Sequence, residues 1–90
     1  EREMAVGNGR TDLAVFWKGQ VIPIELKIHY NARTLPEGLR QLHRYMDKLG
    51  QQHGYLMIFE TKPSTELPWE ERIRREEQEY GGKAITVLWM

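Results

Sequence analysis

Apolar and polar residues alternate along two runs on either side of Lys18-Gly19. Leu13, Val15, Trp17, Ile22, Ile24, Leu26 and Ile28 share one side of a pleated pair; Asp12, Ala14, Phe16, Val21, Pro23, Glu25 and Lys27 share the other. This pattern predicts an antiparallel hairpin over Thr11 to Ile28 with Lys18 and Gly19 as its turn, and the β-branched second run suits a pleated surface. The more apolar side is expected to be core. A two-residue turn also sets the register, with Trp17 opposite Gln20, Phe16 opposite Val21, Ala14 opposite Pro23 and Asp12 opposite Glu25. Pro23 carries no backbone N–H, so the pairing is expected to be interrupted there. Upstream, Asn8-Gly9 is a strong tight-turn signal, and Glu1 to Val6 is expected to add a third strand to the meander.

Beyond Ile28 the period changes. Leu35, Leu39, Leu42, Met46 and Leu49 recur at helical spacing, which predicts an amphipathic helix capped by Thr34, with Pro36 in its first turn and Gly50 ending it. Gln41, Tyr45 and Lys48 form a stripe beside the apolar one. Tyr55 to Glu60 is a short, nearly continuous apolar run, as in a strand inside a sheet. Pro68 to Tyr80 reads as a charged outer helix whose run Glu70 to Glu79 faces solvent, stopped by Gly81-Gly82, and Ala84 to Met90 as a final strand. The expected order is βββαβαβ, a mixed α+β fold in which helices flank the sheet.

Ninety residues bound this to one small domain, residues 1–90, with a single core. The chain has no cysteine, which excludes a disulfide framework and cysteine-ligated zinc. No apolar run reaches membrane-spanning length and nothing at the start resembles a signal peptide, so a soluble, cytoplasmic protein is expected. Thirteen basic residues balance thirteen acidic ones, leaving room for a local basic surface only. The chain opens at Glu1 without methionine, as expected of a fragment of something longer.

The hairpin register concentrates chemistry. Asp12 and Glu25 project from one face with Cβ atoms about 5 Å apart, an arrangement of like charges that asks for a cation. Lys27, two residues on, points the same way. Hard divalent cations such as Mg²⁺ or Mn²⁺ take carboxylate, carbonyl and water oxygens, and the main-chain carbonyl of Leu26 offers a third protein donor. Gln41 and Tyr45 lie one turn apart on the helix and can extend the site. Arg33, Arg40, Arg44 and Lys48 are candidates for phosphate contacts that bind DNA without reading sequence. His29, His43 and His53 have no ligand spacing and read as structural or surface residues, and Trp69 and Trp89 as core.

Asp12 followed by Glu25-Leu26-Lys27 on the next strand, then Gln41 and Tyr45 on the next helix, resembles the D…(D/E)xK and QxxxY motifs of the PD-(D/E)XK nuclease superfamily in its RecB-like form. The likeness covers Gly9 to Glu60, and GRTDL, IELK and QLHRY are similar to nuclease-like domains appended to bacterial ATPases. It implies a restriction-endonuclease-like sheet and Mg²⁺-dependent hydrolysis of DNA, with Asp12, Glu25, Lys27, Gln41 and Tyr45 catalytic and an ATPase domain in the full-length chain. Two positions depart from the family: its first helix is missing, and Thr11 stands where a proline often precedes the first acid. Without that helix an apolar sheet face is expected to be uncovered, favouring self-association. An alternative expectation is a catalytically inactive nuclease-like module that binds nucleic acid or a protein.

Overall fold

The computed structural model describes residues 10–60 and 73–90. Among them a five-stranded mixed sheet carries one helix: β1 (Arg10–Trp17), β2 (Gln20–Ile28), α1 (Thr34–Leu49), β3 (His53–Phe59), β4 (Arg74–Tyr80) and β5 (Lys83–Trp89). The strands lie in the order β1-β2-β3-β5-β4. The central three, β2, β3 and β5, are parallel, and β1 and β4 close the edges antiparallel. This is a mixed α+β fold. The predicted strand over residues 1–6 lies outside the described residues.

The β1–β2 hairpin forms as its alternation demands. Lys18 and Gly19 both take positive φ, 50° and 77°, as a type I′ turn needs. The register runs unbroken from Trp17↔Gln20 to Arg10↔Lys27 and includes Asp12↔Glu25. The interruption expected at Pro23 does not occur. Hydrogen-bonded and non-hydrogen-bonded pairs alternate from the turn, which puts Ala14↔Pro23 in a non-hydrogen-bonded pair, so β1 never calls on the missing N–H. Pairing of β2 with β3 begins only at Ile24↔Tyr55, beyond the proline.

Helix α1 keeps its predicted bounds but not its predicted cap. Arg33 is the N-cap and makes no side-chain cap bond. Thr34 instead ties down the incoming loop, its Oγ1 accepting from the N–H groups of Tyr30 at 3.0 Å and Asn31 at 3.2 Å. Gly50 ends the helix in the left-handed conformation at φ 70°.

Two further expectations fail. Of the helix predicted over Pro68 to Tyr80, residues 68–72 lie outside the described residues and Arg74–Tyr80 forms a strand, so the order βββαβαβ does not hold; the described order is ββαβββ. Gly81 and Gly82, at φ 55° and 81°, build a tight hairpin between β4 and β5 instead of a helix stop. Cross-strand bonds then outweigh the helix propensity of Glu and Arg: Thr86 donates to Glu77 at 2.8 Å and the Trp89 indole N–H to Glu76 at 2.8 Å.

The second failure is the side chosen as core. α1 covers the face bearing Ala14, Pro23, Glu25 and Lys27, not the one bearing Leu13, Ile22, Ile24 and Leu26, which stay half-buried. The central strands decide this. Leu56, Ile58, Ile85 and Val87, all 0 % exposed, meet Leu42 and Met46 of the helix, and the acids and lysine of the hairpin are carried beneath its flank. Among the described residues, helices therefore do not flank both faces.

Candidate metal and nuclease site

The site is assembled from three elements. β1 contributes Asp12, β2 contributes Glu25, Leu26 and Lys27, and α1 contributes Gln41 and Tyr45. Asp12 and Glu25 are direct cross-strand partners. Counting from the turn, theirs is a non-hydrogen-bonded pair, in which Cα atoms approach to about 4.5 Å and side chains come closest. Glu25 is fully buried, and Asp12 Oδ1 and Glu25 Oε1 both lie beneath the surface. Asp12, Glu25 and Tyr45 each have further partners in the chain. Burial of a carboxylate is costly unless such partners compensate it.

Lys27 is 8 % exposed, and its Nζ donates to Gln41 Oε1 at 2.9 Å. That bond joins the acid hairpin to the helix. It needs the close approach that Gly38 provides: a Cβ there would stand 2.9 Å from Leu56 Cδ2 and 3.1 Å from Lys27 Cδ. Tyr45, 4 % exposed, continues the Gln41 flank one turn on and packs into the core. The opposite flank is occupied otherwise. His43 Nε2 lies 3.3 Å from the Gly81 carbonyl, and Asp47 pairs with Lys83 at 3.1 Å, holding the helix against β5.

The remaining predicted residues fall outside this cluster. Arg33, Arg40, Arg44 and Lys48 are all exposed. Lys48 lies seven residues beyond Gln41, on the same flank, with Arg44 beside it, whereas Arg40 projects outward. Two histidines make packing contacts, His29 pairing with Glu60 at 3.4 Å and meeting Trp89 edge-on and His43 meeting Tyr80 edge-on, while His53 is exposed. Trp89 packs against the core from its rim. Trp69 lies outside the described residues.

The donor set suits a hard cation. Among the described residues no group of three or more His, Cys, Asp or Glu gathers, so the site offers two carboxylates and a backbone carbonyl, to be completed by water. The ladder aims the Leu26 carbonyl at Thr11, its partner in a hydrogen-bonded pair, and leaves that oxygen a second lone pair. A cleft of about 550 Å³ opens elsewhere, at the hairpin end of the sheet, lined by Gly19, Gln20, Val21, Ile22, Gln51, His53, Gly54, Tyr55 and Thr86. It contains none of the predicted site residues.

One residue that sequence reasoning passed over matters here. Gly38 sets the helix-to-strand distance, a role visible only after packing. No helix among the described residues is long and apolar enough to cross a membrane. No family model, curated protein or solved structure matches the chain.

Proposed function

We propose that this chain is a divalent-metal-dependent nuclease domain of the PD-(D/E)XK type, acting on DNA in the cytoplasm. The observation that carries this reading is the 2.9 Å bond from Lys27 Nζ to Gln41 Oε1, beside the Asp12↔Glu25 pair, which links the two motif halves in one place. Asp12, Glu25 and the Leu26 carbonyl hold Mg²⁺ or Mn²⁺. When bound, the cation supplies an acidified water and polarises the phosphoryl oxygen.

The chain's own residues do the rest. The carboxylates fix the cation on a rigid strand pair, and Lys27, held by Gln41, presents a donor to the phosphate oxygen on which charge accumulates. Tyr45, one turn beyond Gln41 on the same helix flank, extends the site toward the core. The basic residues Arg33, Arg40, Arg44 and Lys48 receive backbone phosphates. In this reading the sheet is restriction-endonuclease-like, and an ATPase domain belongs to the full-length protein.

Purified protein is expected to bind Mn²⁺ and to nick plasmid DNA only when Mg²⁺ or Mn²⁺ is present. Lys27→Ala removes nicking and keeps Mn²⁺ binding. An absence of metal-dependent cleavage of duplex, single-stranded and branched DNA overturns the enzyme reading.

A second reading rests on a different observation. Val15, Trp17, Ile28 and Phe59 are 37–60 % exposed on the sheet face away from α1. Such a face fits a nuclease-like module that has lost catalysis and docks a protein, or a second copy of itself, through apolar contact. DNA or protein binding left unchanged by Asp12→Ala with Glu25→Ala, together with no cleavage, favours this reading.

A further inference from the structure

We infer that the sheet face turned away from α1 binds a second copy of this chain, the two sheets packing face to face about a two-fold axis that lies across the strands; the inference stands whether or not the chain cleaves DNA. Register pairs share a side, which puts Leu13, Ile24, Tyr55, Thr86 and Glu77 in one row along the midline of this face. Among the described residues no element packs over it, and Val15, Trp17, Ile28 and Phe59 are 37–60 % exposed there. Strands about 4.8 Å apart and about seven residues long give the five-stranded face on the order of 500 Å² in flat projection. With the relief of its side chains, that is the size of surface, about 800 Å², that each partner gives to a stable interface.

The two ends of the face differ in shape. Pro23 offers no N–H, and β2 pairs with β3 only from Ile24↔Tyr55 onward, so the hairpin and β3 part before that point. The cleft of about 550 Å³ opens in the gap, with Gln20 and Ile22 on one side and His53, Tyr55 and Thr86 on the other. Ile28 and Phe59, register partners, stand at the opposite end of the same two strands, each 37 % exposed. A two-fold axis along the midline row reverses strand direction but keeps strand order, so β2 and β3 of one copy lie over β2 and β3 of the other, as in aligned sheet packing. Ile28 lies four residues from Ile24, as Gln20 does on the other side, and Phe59 lies four from Tyr55. The axis therefore sets Ile28 and Phe59 of each copy into the cleft of the other.

The charges on β4 obey the same axis. On this face β4 carries Arg75, Glu77 and Glu79, with Glu77 on the midline. Arg75 and Glu79 lie two residues to either side, so Arg75 of each copy meets Glu79 of the other and a charged rim borders the apolar middle. Arg75 and Thr86 hold the Glu77 carboxylate at 2.9 and 2.8 Å, which orders that rim. An axis along the strands would instead lay apolar β1 on charged β4 and strand its charges without partners. Shape and charge are thus complementary to a copy of the same face, which is what selects this chain as its own partner. Helix α1 and the Asp12↔Glu25 pair stay on the outer side of each copy, so dimerisation leaves them open.

The test is sedimentation velocity of the 90-residue chain between about 1 and 100 μM, where wild type is expected to pass from one chain to two. Phe59→Lys places a charge in the apolar cleft and weakens dimerisation by about ten-fold or more. Glu79→Arg sets like charges across the axis and weakens it about five-fold, and Arg75→Glu added to the same chain restores it, because the swapped pair faces itself again. Phe16→Ala, which removes an exposed ring from the opposite face, leaves it unchanged. Circular dichroism of each variant establishes that the fold is kept, and Glu79→Arg alters an exposed side chain only. A wild type that stays single at the highest concentration overturns the inference: if it binds a hydrophobic dye the face belongs to a different protein, and if it does not, to other residues of the same chain. A dimer indifferent to Phe59→Lys and Glu79→Arg overturns it too, as does failure of the charge swap to restore association. Mn²⁺ binding and plasmid nicking are read separately in Phe59→Lys, so the dimer can fail while the metal site stands.

Discussion

Lys27 sits almost wholly inside the protein with Gln41 Oε1 as acceptor, so the pair can be tested through stability as well as catalysis. Gln41→Ala removes the acceptor from a buried donor, an effect of about 1–3 kcal/mol, and the urea midpoint should fall with an unchanged slope. Gln41→Glu keeps an acceptor and should restore most of that loss. A Gln41→Ala variant as stable and as fast in cleavage as wild type would show that the bond does not position Lys27. The side chains also differ in how far they could be read from sequence. Asp12↔Glu25 follows from parity and a two-residue turn, both local. The contact of Lys27 with Gln41, fourteen residues away, depends on which sheet face the helix takes, and the hairpin's own pattern pointed to the wrong face because Leu56, Ile58, Ile85 and Val87 on other strands decided it.

Among the elements, β4 shows how local propensity yields to pairing. Its sequence RREEQEY favours a helix, but as an edge strand it places charge where another chain would otherwise add on. The missed signal was Gly81-Gly82, two residues between two runs, which is as good a hairpin mark as Lys18-Gly19. A Cβ added at Gly82 would have nothing within 4 Å, so Gly82→Ala meets backbone strain alone, about 1–2 kcal/mol. In Gly81→Ala the new methyl would also stand 2.5 Å from His43 Nε2, and thermal denaturation should rank it as the more destabilised variant. The same hairpin has a pH signature. The hydrogen bond from Arg75 holds the Glu77 carboxyl below its ordinary value of 4.5, the bond from Thr86 lowers it further, and slight desolvation opposes both. A depressed carboxylate contributes its stabilisation fully above the unfolded value and loses it as pH falls through the folded one. Loosening of the β4–β5 hairpin should therefore begin only below pH 4.5. Arg75→Ala should move the Glu77 titration, followed by carboxyl NMR, upward.

At the scale of the whole molecule, net charge is zero, so long-range attraction to nucleic acid has no global source. Attraction must come from the local arrangement of Arg33, Arg40, Arg44 and Lys48, all exposed and spread from the N-cap of α1 to its last turn. Counterion release then gives a quantitative expectation. Four phosphate contacts on a single strand correspond to a slope of log K against log salt of about −3, and fewer contacts to a shallower one. Lys48→Ala should reduce the steepness by about one contact's share. Titrating a fluorescent single strand of about 20 nucleotides between about 50 and 200 mM salt, in the presence of EDTA, measures the slope for wild type and variant. A slope near zero for wild type would mean that the basic helix face is an ordinary solvated surface, and that any nucleic-acid contact this sheet makes rests on its apolar side chains alone.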